Sequence, residues 1–172
     1  TPLEKAILDT IHYFDIFEYP LTATEVWKWL TAAPDDSASA AAVRSASFAD
    51  VLGALAESQA LQQRVETKHG FYFLSGRSST VETRMDRYRL AEQKYYRAKR
   101  FIKILRFIPF IKMIGVCNTL AYSNSRPEAD IDLFIVTSPG RVWQTRFWVA
   151  GFLKLFNLRP RPGKTQDTIC TS

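Results

Sequence analysis

Ile114-Gly115-Val116-Cys117-Asn118-Thr119-Leu120-Ala121, followed after a short loop by Ala129-Asp130-Ile131-Asp132-Leu133-Phe134-Ile135-Val136, is the stretch whose reading decides the fold. Residues 111–116 are apolar apart from Lys112, and they suit a strand from Ile114 onward. The run 129–136 reads as a second strand. Side chains alternate across a strand, so Asp130 and Asp132 project from one face and Ile131 and Leu133 from the other. Two carboxylates on one face at the start of a buried strand repel each other and lose hydration. A cation between them relieves both penalties. Magnesium suits the place, because it is a hard ion that takes carboxylate oxygens together with substrate phosphates. The competing reading is structural: acids at a turn and a strand start, with Asp130 bonding the backbone of the preceding loop.

A strand, a small polar turn, a variable loop and a strand carrying Asp-x-Asp together resemble the nucleotidyltransferase superfamily typified by DNA polymerase beta. The resemblance is carried by residues 114–136 and extends more loosely over 100–172. It implies an enzyme that transfers a nucleotidyl group from a nucleoside triphosphate to a hydroxyl of a small molecule, a protein or a nucleic acid. It also implies Mg2+ (or Mn2+) held by Asp130 and Asp132, which become the catalytic residues, with the triphosphate aligned for in-line attack. The Gly-Ser turn of the family falls on Asn118-Thr119 here. Asn tolerates positive φ and Thr keeps a hydroxyl, whereas Gly115 lies too early to substitute. Asn118, Thr119 and Arg126 are the expected nucleotide-binding residues. The family also places a third carboxylate on a later strand. Asp167 is the sole acid after Val136, so it is either the third metal ligand or a loop carboxylate. The missing Gly-Ser and third acid keep a second reading open, a catalytically degenerate module that binds nucleotide or a partner.

Upstream, Leu3, Ile7, Leu8, Ile11 and Phe14 fall at helical spacing and predict a helix over 2–15. Tyr19-Pro20 breaks the chain. Thr22 or Thr24 caps a second helix holding Val26, Trp27, Trp29 and Leu30. Residues 32–47 read as an exposed loop with a helical piece near 40–44. A third helix over 47–58 buries Phe48, Val51, Leu52 and Leu55. Then 61–66 and 70–74 read as strands around the turn-like Lys68-His69-Gly70. Three helices and a hairpin resemble winged helix-turn-helix domains, which implies a DNA-binding regulator as a further alternative. The charges oppose it. Residues 1–76 hold 5 Lys/Arg against 10 Asp/Glu, and 45–63, around the third helix, contain no Lys or Arg before Arg64. Such a surface repels a duplex, so the module is expected to pack or to contact protein. His12 is expected to be a partly buried structural residue.

The charge of the 172-residue chain is +6, and it sits elsewhere. Residues 77–112 carry 11 Lys/Arg against 3 Asp/Glu. A long helix over 80–108, with a break near 99–101, is expected to put Val81, Met85, Tyr88, Ala91, Tyr95 and Ala98 on one face. Arg84, Arg87, Arg89, Lys94, Arg97, Lys99 and Arg100 take the other, a solvated face or a guide for phosphates. After Val136, a helix over 141–157 carries Trp143, Phe147, Trp148, Phe152 and Phe156 as expected core. The basic loop 159–164 and a strand-like end follow. The expectation is an α/β (α+β) chain: a winged helix over 1–76, a basic linker helix over 77–108, and a mixed-sheet nucleotidyltransferase domain over 109–172, incomplete at Ser172. The two cysteines form no CxxC pair and there are two histidines, which opposes a Cys/His structural zinc site. The longest apolar stretch is interrupted by Lys103, Arg106 and Lys112 and does not span a bilayer. A reduced, cytoplasmic setting without membrane partners is expected.

Overall fold

The computed structural model describes residues 1–31, 37–155 and 169–171. The chain is mixed α and β and divides into two units, Thr1–Met85 and Asp86–Ser172. Among the described residues, no helix is long and apolar enough to cross a membrane.

The first unit contains α1 (Pro2–Asp15), β1 (Leu21–Thr22), α2 (Ala23–Lys28), α3 (Ser37–Ser45), α4 (Phe48–Glu57), α5 (Gln59–Gln62), β2 (Val65–Lys68) and β3 (Phe71–Leu74). It also holds the first turns of α6 (Ser79–Leu105). Its antiparallel sheet has the order β1-β3-β2. The β2–β3 hairpin closes through His69 (φ 53°) and Gly70 (φ 80°). Positive φ at both loop residues matches the right-handed twist of the flanking strands. Ile7, Ile11, Leu21, Val26, Val51, Leu55 and Leu61 form the core.

Thr22 caps α2 reciprocally with Glu25, and Ser47 caps α4 with Asp50. The break at Tyr19-Pro20 leads into β1, a strand that exists because Leu21 and Thr22 pair with Tyr72 and Phe71. The expected strand start at Leu61 is instead the one-turn helix α5, capped by Ser58, with Leu61 buried in the core. His12 is exposed rather than half-buried, its Nδ1 lying 3.0 Å from the Leu8 carbonyl.

The second unit contains the rest of α6, β4 (Ile111–Val116), α7 (Asn118–Ala121), β5 (Ile131–Thr137), α8 (Val142–Leu155) and β6 (Ile169–Thr171). Central β5 is antiparallel to β4 and parallel to β6. A parallel neighbour needs a crossover connection, and α8 lies within it. Ala91, Ala98 and Leu105 of α6 pack with Leu120, Ile131, Leu133, Val149 and Leu153.

Helix α6 is unbroken, and its faces differ from the expected ones. Tyr88 and Tyr95 are about half exposed, at 52% and 53%, whereas Lys94 is 1% exposed. The inward stripe uses the small residues Ala91 and Ala98, which share one core with Ile131 and Leu133 of β5 and Val149 and Leu153 of α8. Helix α8 is also turned from expectation. It buries Thr145, Val149 and Leu153 and leaves Trp143 at 78% and Phe147 at 71% exposure. Phe156, the loop 159–164 and Asp167 lie outside the described residues.

In the first unit, Arg84 makes a two-pronged bond to Glu25, Nη1 to Oε2 at 2.8 Å and Nη2 to Oε1 at 2.7 Å. Its guanidinium also donates to the Pro20 carbonyl and stacks 4.0 Å from the centre of the Tyr19 ring. The same Glu25 carboxylate accepts from Thr22 N at 2.8 Å, so one acid caps α2 and ties α6 to it. Burial disfavours the Glu25 anion, but the bonds from Arg84 and Thr22 outweigh it and hold the carboxyl below its usual range. A depressed folded value means that the stabilisation is present above the unfolded carboxyl range and lost as pH falls through the folded value. Arg84→Met is expected to lower the unfolding free energy by about 2 kcal/mol. Urea unfolding followed by circular dichroism, from neutral pH downward, should show Arg84→Met and Glu25→Gln losing that segment of the acid-dependent destabilisation.

Candidate functional site

The second unit's sheet presents a polar corner at the start of β5. Ile131 and Leu133 are fully buried in the core, so Asp132 projects from the opposite face. Asp130 precedes the strand by one residue and is half-buried, as is Asp132. On one side of β5, the ladder continues one step past β4, with Cys117 N donating to the Asp132 carbonyl at 3.1 Å. On the other side, Cys170 of β6 lies in register with Asp132. The carboxylates of Asp130 and Asp132 and the thiol of Cys170 have ligand atoms within 4.8 Å of one another.

The β4–α7 turn is built around Asn118, whose φ of 56° is the left-handed conformation. Asn adopts it at lower cost than other non-glycine residues. The turn aims the Asn118 side chain back across β5, where Nδ2 donates to Asp132 Oδ2 at 2.8 Å. Leu120, 3% exposed, anchors α7 in the core. Thr119 contributes its carbonyl, which accepts from Asn124 N at 2.9 Å. Asn124 is buried, and its Oδ1 accepts from Arg87 Nη1 at 3.2 Å.

The loop ahead of Asp130 is held from beneath by Lys94. Its buried Nζ donates to the carbonyls of Arg126 at 2.8 Å, Pro127 at 3.2 Å and Ala129 at 2.5 Å. Three carbonyl acceptors are what an ammonium with three N–H donors requires. The side chain of Arg126 belongs to an exposed residue of the same loop.

Of the residues singled out from the sequence, the structure thus brings Asn118, Asp130 and Asp132 together, and Asp167 is outside the described residues. Lys94 and Cys170 were missed. The sequence places Lys94 on a face that is either solvated or a guide for phosphates, since a lone Lys in a basic helix carries no mark of burial. Cys170 was set aside because its spacing from Cys117 fits no Cys/His motif. Its pairing with Asp132 is a product of the parallel ladder. Burial pushes the Cys117 thiol up, and the negative neighbours Asp132 and Cys170 add to that. The corner therefore sets two carboxylates beside a thiol, a set of groups able to ligate a divalent cation.

Lys94→Met removes the buried donor to three loop carbonyls and is expected to lower the unfolding free energy by about 3 kcal/mol, at roughly 1 kcal/mol per bond. Urea titration measures this, and a change below about 1 kcal/mol would contradict the assigned role. No protein-family model, curated protein or solved structure matches the chain.

Proposed function

We propose that the second unit is a nucleotidyltransferase-type unit that transfers a nucleotidyl group from a metal-bound nucleoside triphosphate to a hydroxyl acceptor. The observation that carries this reading is the convergence of Asp130, just ahead of β5, with Asp132 in it, beside a left-handed turn whose Asn118 bonds Asp132. Asp130 and Asp132 would hold Mg2+ or Mn2+. When bound, such an ion neutralises phosphate charge and orients the transferring group. The chain's own residues supply the rest. Asn118 orients one oxygen of Asp132, leaving its other oxygen for a ligand, and Lys94 fixes the loop that delivers Asp130. Exposed Arg126, in that same loop, is the candidate cation for triphosphate oxygens, and Thr119 in the turn is the candidate hydroxyl.

A second reading is a unit that binds nucleotide without turnover. It is favoured by the group that converges with the two carboxylates among the described residues, which is a thiol and not a third carboxylate. For the first unit we infer a winged-helix-like contact module, from the helices α1, α2 and α4 and the hairpin β2–β3, to which β1 adds a third strand. The exposed surface of α4 offers Phe48, Leu52, Asp50 and Glu57, a set suited to protein contact and unsuited to phosphates.

Isothermal calorimetry with magnesium and ATP, CTP, GTP or UTP tests the site, and transfer of label from the α-phosphate tests turnover. The double variant Asp130→Asn, Asp132→Asn is expected to bind metal-triphosphate about tenfold or more weakly, equivalent to about 1.4 kcal/mol. Equal binding by wild type and variant would overturn the assignment, and binding without label transfer would select the second reading.

A further inference from the structure

We propose that Cys170 is the third ligand of the Asp130–Asp132 site, which therefore takes a thiophilic divalent cation of the zinc class in preference to magnesium. The inference rests on the reading of Asp130 and Asp132 as metal ligands. Its own basis is the register of β5 against β6. Ile131 pairs with Ile169, Asp132 with Cys170 and Leu133 with Thr171. Adjacent cross-strand residues face the same side of a sheet, so Cys170 shares the face of Asp132, opposite the buried Ile131 and Leu133.

The geometry suits a small ion. Zinc–sulfur and zinc–oxygen bonds of roughly 2.3 and 2.1 Å place tetrahedral ligand atoms about 3.6 Å apart. The ligand atoms of Asp130, Asp132 and Cys170 already lie within 4.8 Å of one another, and all three residues are half-buried. Magnesium asks for an octahedral set of oxygens, which a thiolate does not join. Two carboxylates and a thiolate form a borderline-soft set that selects zinc and its analogues. Three protein ligands leave a fourth position for water or a substrate oxygen. Asn118, bonded to Asp132 Oδ2, is the outer partner that orients one ligand.

The test uses the whole chain, stripped with a chelator, kept reduced by a phosphine, and titrated with Zn2+, Cd2+ and Mn2+. Cadmium is expected to produce a thiolate-to-metal charge-transfer band in wild type and in Cys117→Ser, but none in Cys170→Ser. Zinc affinity of Cys170→Ser should fall by more than the roughly 10–100-fold that losing an outer partner costs, with little change for manganese. Cys170→Asp should move the preference toward magnesium and manganese. A charge-transfer band that persists in Cys170→Ser, or unchanged zinc affinity in that variant, overturns the inference. Manganese binding that depends on Asp130 and Asp132 would then leave the carboxylate reading standing, whereas manganese binding undiminished in Asp130→Asn, Asp132→Asn overturns that reading itself. Circular dichroism of each variant separates these results from loss of fold.

Discussion

A single buried amino group organises the second unit. Lys94 reaches from α6 to the carbonyls of Arg126, Pro127 and Ala129, three acceptors within four residues of chain. The Lys94 amino group is itself buried, and an ammonium taken out of water without acceptors is costly. The three carbonyls offset that cost. The loop is therefore held at both ends of its turn, and the residue that follows it, Asp130, enters the sheet from a fixed direction. The small residues Ala91 and Ala98, one turn before and one turn after Lys94, are buried on the same face of the helix.

The first unit solves a comparable problem with an ion pair. Arg84 and Glu25 are each less than a quarter exposed, and their charges are matched by a two-pronged bond, a helix cap and an aromatic ring. In both units a long basic side chain of α6 is drawn inward, and the bonds it makes are to backbone or carboxylate groups fixed by neighbouring elements. The basic excess of 77–112 is therefore not one surface. Arg84 and Lys94 are structural cations, while Arg89, Arg97, Lys99 and Arg100 belong to exposed residues.

The corner at β5 combines hard and soft donors. Asp130 and Asp132 suit an ion that also binds phosphate, whereas Cys170 tilts the set toward a softer one. The thiol lies on β6, in register with Asp132. In the proposed site, the choice of metal hangs on one position of a three-residue strand.

Much was legible in the chain itself. Periodicity marked α1, α4 and α6, Thr22 and Ser47 stood where caps belong, and His69-Gly70 marked the hairpin turn. The alternation of Asp130-Ile131-Asp132-Leu133 set Asp132 opposite the buried Ile131 and Leu133 and brought Asp130, just ahead of β5, near it, because strand geometry has a period of two whatever the strand packs against. Asn118 was legible as a turn residue for a similar local reason, its tolerance of positive φ. Strand β1, the exposure of Trp143 and Phe147, the burial of Lys94 and the pairing of Cys170 with Asp132 were decided by tertiary structure. Each depends on which distant segment lies alongside. Neither hydrophobicity nor propensity encodes a cross-strand partner separated by a crossover, or a buried amine whose acceptors are carbonyls common to every residue.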